Sequence, residues 1–250
     1  MSYPVVQLEA DSAQYVEEMG SKDKRWCTYP ADDRLWLFKY PRGESGEHWS
    51  EKIAAELGQL LGIRCAEVQL AQLAEANGSL TRNLLASKSE TLVHGNELLA
   101  GYVVGYDKTQ TYRQNQHSWQ HICTAVEKRC GSAACRSILS NFAGYLVFDA
   151  WISNTDRHHQ NWGLLQISDG QYVRYEMCPS YDHASSLGRE LTDTRRIQLL
   201  QNIDSYRHHP KVIQRNKNDR VLRLCASECA LLSEAEGSGC LAVNYFGGMT

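Results

Sequence analysis

The stretch NTDRHHQNW, residues 154–162, concentrates reactive side chains in a short segment that follows the apolar run GYLVFDAWI. Asp156 and Asn161 stand five positions apart in it, and a second acid, Asp182, follows twenty-one positions after Asn161. Phosphoryl transfer needs one carboxylate to orient the attacking hydroxyl and further oxygen ligands to hold Mg²⁺ against nucleotide phosphates. The residue types and their spacing therefore predict that Asp156 orients the acceptor and that Asn161 and Asp182 are metal ligands.

A buried helix, a loop, a hairpin and a second loop must position these side chains. The run CRSILSNFAGYLVFDAWIS has helical periodicity and is apolar around most of its circumference, which predicts a buried helix. Two strand-like runs, NWGLLQI and QYVRYEM, follow it and are joined by SDG, whose Asp-Gly is a strong hairpin signal. Since HSWQHICTAVEKR upstream is also helical in period, the second half is predicted to be mainly helical.

The first hundred residues are predicted to be rich in strands. RWCTYP and RLWLFKYP are aromatic, β-prone runs joined by a polar turn, which indicates a hairpin. GEHWSEKIAAELGQLLGI then predicts one amphipathic helix, because Trp49, Ile53 and Leu57 recur at helical spacing. AEVQLAQL, GSLTRNLL and ETLVHGNELL predict three further strands.

This strand-rich half also contains groups that suit nucleotide phosphates. Lys39 lies inside the aromatic strand LWLFKYP, and Glu51 opens the helix that follows, so an ion pair between them is predicted. Gly20 and Ser21, with Lys22 beside them, stand between an expected helix and the first hairpin strand. Backbone N–H groups exposed at such a turn can face a phosphate.

Simpler interpretations exist for most of these residues. Asp156 and Asn161 also suit an Asx-rich turn after a helix, and Ser21 with Lys22 suits an ordinary polar turn. The ordered presence of Lys39 and Asp182 favours catalysis for the first pair. The adjacent histidines of the stretch lack the spacing of zinc ligands, so no zinc site is predicted.

Composition limits the classes of partner. The chain has 250 residues, 42% of them hydrophobic, and a formal net charge of −3, so no basic field attracts nucleic acid. No charged and apolar leader begins it, and no run approaches the roughly 20 apolar residues that span a bilayer. Nine cysteines without a C-x-x-C pair are typical of reduced thiols. A cytoplasmic protein without direct nucleic-acid binding or integral membrane association is expected.

Taken together, GSKDKRW, LFKYPR, TLVHGNELL, NTDRHHQNWG and PSYDHASSLG resemble the HipA-like serine/threonine kinases over roughly residues 15–205. DRHHQN fits the D-R-H-x-x-N motif that this group shares with the phosphatidylinositol 3- and 4-kinases. The resemblance implies an α+β, bilobal protein-kinase-like fold. Residues 1–100 are then the strand-rich N-lobe, and residues 101–250 the mainly helical C-lobe.

The resemblance also implies the roles of the site residues. Asp156 is expected to be the catalytic aspartate with His158 facing the active site, while His159 is expected to pack or to be solvated. Lys39 is expected to contact the phosphates of ATP, with Asn161 and Asp182 binding Mg²⁺. The implied reaction transfers the γ-phosphate to Ser or Thr of a protein substrate, or of the kinase itself. Such kinases act as toxins paired with an antitoxin, or as effectors delivered to a host cytosol.

The sequence departs from the family pattern in several places. YDHAS stands where eukaryotic protein kinases have Asp-Phe-Gly, Gly20 is the one glycine of its loop, and the sequence from Tyr206 onward resembles nothing in the family. The additional N-terminal subdomain of full-length HipA toxins is not recognised, so a short form is expected. Two alternatives stay open: a phosphoinositide or small-alcohol kinase, suggested by D-R-H-x-x-N, and a nucleotide-binding pseudokinase or interaction protein, suggested by the sparse loop and the tail.

Overall fold

A computed structural model describes residues 3–17, 23–29, 31–43, 45–110 and 113–189, with residues 194, 197–198 and 201. Gly20, Ser21 and Lys22 lie outside the described residues, and so does the sequence after Tyr206. The chain divides into two compact units. The first takes in the chain as far as Leu84, the segment Ile152–Thr155 and a segment that starts at Tyr181; the second takes in Leu85–Trp151 and Asp156–Ser180. The lobe boundary after residue 100 stays a prediction.

The first unit contains a six-stranded sheet. Its strands are β1 (Val5–Leu8), β2 (Ala13–Val16), β3 (Lys24–Tyr29), β4 (Asp32–Lys39), β5 (Val68–Leu73) and β6 (Ala76–Arg82). They lie in the order β1-β5-β6-β4-β3-β2, with β1 parallel to β5 and the other pairs antiparallel. The predicted hairpin of aromatic runs is confirmed as β3–β4. The prediction of a helix before Gly20 is wrong, because residues 13–16 form the edge strand β2, which pairs with β3.

Side-chain alternation along β4 puts its aromatic residues and its lysine on opposite faces of the sheet. Trp36 and Phe38 are buried in a core with Leu8, Leu73 and Leu80. Because successive strand side chains point to opposite faces, Lys39 leaves the sheet on the other side. It is nevertheless only 6% exposed, so the lysine is buried away from this core.

Helix α1 (Glu47–Leu60) confirms the predicted helix, but its buried face differs from the apolar stripe that the spacing of Trp49, Ile53 and Leu57 predicted. Leu60, the next residue of that stripe, is 77% exposed. The buried residues are small or polar: Glu47, Ser50, Glu51, Lys52, Ala54, Ala55 and Gly58. Small side chains allow α1 to approach β5 and β6 closely, and the polar ones find partners described below.

The second unit combines a three-stranded sheet with helices. Its elements are β7 (Glu90–His94), α2 (Gly95–Tyr102), α3 (Trp119–Ile152, whose last residue belongs to the first unit), β8 (Gly163–Ser168) and β9 (Val173–Met177), and the strands lie in the order β7-β8-β9. The predicted β8–β9 hairpin is confirmed. ETLVHGNELL is not one strand: it divides at Gly95, because His94 and Glu97 form a capping box that starts α2.

Two predicted helices are joined in α3 at Gly131, which has φ 74° and ψ 161°. The rings of Trp119 and Phe142 stack with centroids 6.2 Å apart. In a straight helix these residues would be about 35 Å apart along the axis, at 1.5 Å per residue. The chain therefore reverses at Gly131, and α3 is an antiparallel pair of helices. Among the described residues, no helix has the length and apolarity required to cross a membrane.

Candidate active site

The first unit brings together two of the predicted site residues, Lys39 at the end of β4 and Asp182 in the loop after β9. The ammonium nitrogen of Lys39 donates to Oδ1 of Asp182 over 3.2 Å. The lysine side chain is 7% exposed and the aspartate side chain 20% exposed. A largely buried ion pair thus joins the lysine predicted for phosphates with a carboxylate predicted for metal.

Glu51 lies near this pair but does not bind Lys39, so the predicted Lys39–Glu51 ion pair is replaced by Lys39–Asp182. Burial alone would lower the pKa of Lys39, but the carboxylates of Asp182 and Glu51 outweigh it, and the pKa lies above the ordinary lysine value. Within the described part of the chain, neither carboxylate oxygen of Glu51 accepts a hydrogen bond. Glu51 is fully buried, and Nδ1 of His183 lies 3.8 Å from its Oε1. A second carboxylate is therefore available close to the lysine.

The loop that carries Asp182 is attached to the beginning of α1. The hydroxyls of Ser50 and Ser186 lie 3.0 Å apart, and the Ser50 hydroxyl also donates to the carbonyl of Ser186 over 2.9 Å. Further along the loop, Arg189 forms an ion pair with Glu47 at 2.8 Å, and its carbonyl accepts from the Gly46 amide at 2.9 Å. These contacts explain why α1 buries a polar face.

Asp182 itself has a left-handed backbone, with φ 59°. This conformation is unusual for a residue with a side chain, although aspartate adopts it more readily than most. Strained residues persist only where surrounding contacts hold them, and they are common in functional sites. The Lys39 pair on one side and the Ser186 contacts on the other provide such support.

Residues 156–162 of the predicted catalytic loop belong to the second unit. The side chain of Asp156 is 54% exposed, with Nε2 of His158 4.0 Å from its Oδ1. The amide nitrogen of the Asn161 side chain donates to the Asp156 carbonyl over 2.8 Å. That bond fixes the orientation of the amide, whose oxygen is the atom predicted to bind metal. The structure thus brings Asp156, His158 and Asn161 together in one tight loop.

Arg157, the residue after the predicted catalytic aspartate, was missed by the sequence-based site prediction. Its guanidinium binds the Asp149 carboxylate of α3 through two hydrogen bonds of 2.7 and 2.8 Å. The side chains of Arg157 and Asp149 are 3% and 6% exposed. The sequence does contain a signal for this pair, since Asp149 is the one acid in the apolar run LVFDAW. A buried charge requires a partner, so such an acid indicates a buried cation nearby.

The first two backbone N–H groups of helix α2 bind carbonyl groups of the catalytic loop. The amide of Gly95 donates to the Trp162 carbonyl over 2.9 Å, and the amide of Asn96 to the His159 carbonyl over 2.8 Å. The first N–H groups of a helix have no partner within the helix, and its dipole is positive at that end. A side chain at Gly95 would collide with the indole of Trp162, so the close approach requires glycine.

His159 is buried and packs inside the second unit, which is one of the two roles expected for it. It is 1% exposed, and Nδ1 shares a 2.7 Å hydrogen bond with the hydroxyl of Tyr106. Nearby, the indole N–H of Trp162 donates to Nε2 of His117 over 3.1 Å. Burial, together with the neighbouring His159 and His158, lowers the pKa of His117 to about 3. Burial also lowers the pKa of His159. Both imidazoles are therefore neutral near pH 7.

The side chains of the two loops offer oxygen donors to a metal ion. Among the described residues there is no group of three or more His, Cys, Asp or Glu side chains able to hold a metal ion by themselves. Mg²⁺ is usually bound by one or two carboxylates, substrate phosphates and water, without a full protein cage. The carboxylate of Asp182 in the first unit and the oriented amide of Asn161 in the second are each of the donor type that suits such binding.

The fold is α+β and kinase-like. The crystal structure of the Helicobacter pylori proinflammatory kinase CtkA is similar, with a TM-score of 0.64, 19% identity, and 84% of this chain and 68% of that chain covered. A HipA–HipB–operator DNA complex of Shewanella oneidensis MR-1 matches with a TM-score of 0.48 and 14% identity, covering 68% of this chain and 43% of that chain. The predicted α+β kinase-like fold is thereby confirmed by the CtkA structure.

The chain belongs to the HipA-like C-terminal domain family, whose model matches residues 16–236. This confirms the resemblance and corrects its extent, because the match continues beyond Tyr206, where none was expected. In sequence, the chain is 31% identical over 85 residues to the serine/threonine-protein kinase CtkA of Helicobacter pylori. That alignment covers 32% of this chain and 26% of the relative, so it spans about a quarter of the relative's length.

Proposed function

We propose that this protein is a kinase that uses ATP and Mg²⁺ to phosphorylate Ser or Thr of a protein substrate, its own chain included. The observation that carries the proposal is the buried contact between Lys39 and Asp182. A lysine that binds phosphate and a carboxylate that binds metal are two of the groups that phosphoryl transfer requires beside the nucleotide. Membership of the HipA-like family and similarity to a protein named a serine/threonine kinase support the same activity.

Each residue has a chemical task in this proposal. ATP, when bound with Mg²⁺, supplies the phosphoryl group and a metal that offsets its charge. Asp182 and the Asn161 amide oxygen would hold the metal, and Lys39 would neutralise phosphate oxygens. The exposed carboxylate of Asp156 would accept a hydrogen bond from the acceptor hydroxyl and take its proton as that oxygen bonds to the γ-phosphorus and ADP leaves.

Five further residues complete the proposed site. His158 would help to orient Asp156, its close neighbour in the loop. Gly20, Ser21 and Lys22 would contact phosphates through backbone N–H groups and the lysine ammonium, an assignment that rests on sequence since they lie outside the described residues. Glu51 would accept Lys39 when Asp182 turns to the metal, because its buried carboxylate otherwise remains without a hydrogen bond.

The biological setting is proposed from family membership alone. We infer a cytoplasmic toxin restrained by an antitoxin partner, or an effector acting in a host cytosol. A toxin that acts through phosphorylation would stop growth when wild type is induced and would be harmless with Asp156→Ala. Equal growth arrest by both forms would contradict a toxin that acts through phosphorylation. The kinase activity itself would still be decided by the assay below.

Transfer of label from γ-labelled ATP tests the activity. Purified wild type would be incubated with Mg²⁺ and protein extract beside Asp156→Ala and Asp182→Ala, with the exposed Asp11→Ala as the matched aspartate control. We expect label in protein with wild type and Asp11→Ala, and a loss of about 10²–10³-fold with the two site variants. Label confined to the lipid fraction would favour an inositol-lipid kinase. ATP binding without any transfer would replace the proposal with a pseudokinase.

A further inference from the structure

Arg157 makes more buried polar contacts than the ion pair with Asp149 alone. Its Nη1 donates to the carbonyl of Asn161 over 2.5 Å. Its Nη2 donates to the hydroxyl of Ser180 over 2.9 Å as well as to Asp149. One side chain thus joins helix α3, the end of the catalytic loop and the segment after β9, all within the second unit.

The partners of Arg157 are neighbours of the predicted metal ligands. Asn161 is itself one of them, and the arginine holds its backbone while the Asp156 carbonyl holds its side-chain amide. Ser180 stands two residues before Asp182 in the chain. The guanidinium therefore holds the backbone of Asn161 and the side chain of Ser180, which ends the segment before Asp182.

This arrangement depends on the planar fork of arginine. Guanidinium presents five N–H donors in fixed directions, so it can bind a carboxylate with two of them and further acceptors with the rest. Lysine keeps the positive charge but concentrates its donors on one nitrogen. A buried ion pair in itself often adds little net stability over apolar packing of similar volume. Geometry, more than stability, is what this residue supplies.

We propose that Arg157 is a positioning residue for metal binding, acting through Asn161 and Ser180 without touching substrate. The proposal deepens the proposed kinase function and rests on it for the identity of the metal ligands. Partners of this kind, one shell beyond a metal, typically change metal affinity or activity by about 10–100-fold when they are altered. The Asp149 carboxylate fixes the orientation of the guanidinium, so Asp149 contributes to the same positioning.

The experiment compares Arg157→Lys with wild type and with Arg174→Lys, an exposed arginine of the same unit whose side chain is 69% exposed. Mn²⁺ affinity would be measured with a non-hydrolysable ATP analogue, beside affinity for the analogue without metal. Amide hydrogen exchange of residues 153–162 would be followed in the metal-free protein. We expect Arg157→Lys to weaken Mn²⁺ binding by about 10–100-fold and to speed exchange in that loop, with metal-free analogue affinity unchanged.

Ser180→Ala supplies a second variant, because it removes one contact and leaves the ion pair intact. If Arg157→Lys does not fold, a severalfold loss of Mn²⁺ affinity in Ser180→Ala supports the proposal, and unchanged affinity overturns it. A folded Arg157→Lys with wild-type Mn²⁺ affinity and loop exchange also overturns it. If wild type binds Mn²⁺ and nucleotide without transferring phosphate, the kinase function fails, while the exchange and Mn²⁺ comparisons still decide the role of Arg157.

Discussion

Lys39 and Asp182 are separated by 143 positions in the sequence, yet their ammonium and carboxylate lie 3.2 Å apart. The pair holds both groups in place before any nucleotide is present. In the proposed function the lysine and the metal would compete for this carboxylate, and the buried carboxylate of Glu51 lies close to the lysine.

Replacing Lys39 by methionine should remove phosphoryl transfer while keeping the length of the side chain. Loss of one charge-stabilising donor typically costs about 10²–10³-fold in rate. Transfer of label from ATP, measured beside Lys39→Arg, gives the comparison, and we expect partial activity from arginine because it retains the charge. Activity of Lys39→Met within tenfold of wild type would show that this lysine does not serve the phosphates.

The Ser50–Ser186 contact should be coupled energetically. Each single change to alanine removes buried hydrogen bonds, while the remaining hydroxyl keeps a backbone carbonyl as acceptor. We therefore expect each change to lower the free energy of unfolding by about 0.5–1.5 kcal/mol. The double variant should cost less than the sum of the two, as measured by urea unfolding. Ser87 and Ser89 form an exposed hydroxyl pair of 2.7 Å and provide the control, with changes to alanine within about 0.5 kcal/mol. Simple additivity for Ser50 and Ser186 would refute the coupling.

Gly95→Ala should disturb the catalytic loop, because the new methyl group would meet the Trp162 indole and lie 2.7 Å from the His159 carbonyl. The same change at Gly101, in the same helix, meets nothing within 4 Å and should stabilise α2 by up to about 1 kcal/mol. Thermal unfolding shows whether each change raises or lowers the stability. The transfer of label from ATP shows whether the catalytic loop is disturbed. A Gly95→Ala protein as stable as Gly101→Ala would contradict the close packing.

Stability should fall as the pH drops below the ordinary histidine pKa. Burial holds the pKa of His117 at about 3 in the folded protein, whereas in the unfolded chain it is near 6.5. The unfolded state therefore binds more protons between these values. The stabilisation is complete above about pH 6.5 and declines by up to about 1.4 kcal/mol per pH unit towards pH 3.

His117→Gln tests this assignment, since glutamine can still accept the Trp162 N–H but does not titrate. Urea unfolding at pH 7.5, 6 and 5 should show a smaller loss of stability on acidification in the variant than in wild type. Parallel losses would mean that another group, such as the buried His159, accounts for the pH dependence.

Local patterns predicted much of this molecule. The hairpins, α1 and both helices of α3 follow from periodicity and turn residues, and the loop from Asp156 to Asn161 follows from spacing. Periodicity failed for the buried face of α1, because tertiary polar contacts at Ser50 and Glu51 outweighed an apolar stripe. It also missed the division of β7 from α2, where a capping box at His94 overrode continuous apolar character.

Pairings over long distances were harder to predict. Lys39 was assigned to Glu51, which is near it in sequence, and only the three-dimensional structure showed that Asp182 takes that place. The Arg157–Asp149 pair had a visible signal in the single acid of an apolar helix. The sequence did not show where the guanidinium of Arg157 points, so its contacts with Asn161 and Ser180 could not be predicted.

The division of the first unit into separate chain segments has a consequence for synthesis. Asp182 is added 143 residues after Lys39, which takes roughly 7–30 s at ribosomal rates of 5–20 residues per second. During that interval the lysine end of β4 has no Asp182 to bind. The helix pair of α3, built from local contacts, can form meanwhile. A nascent chain therefore lacks the proposed phosphate and metal site until residue 182 has been made.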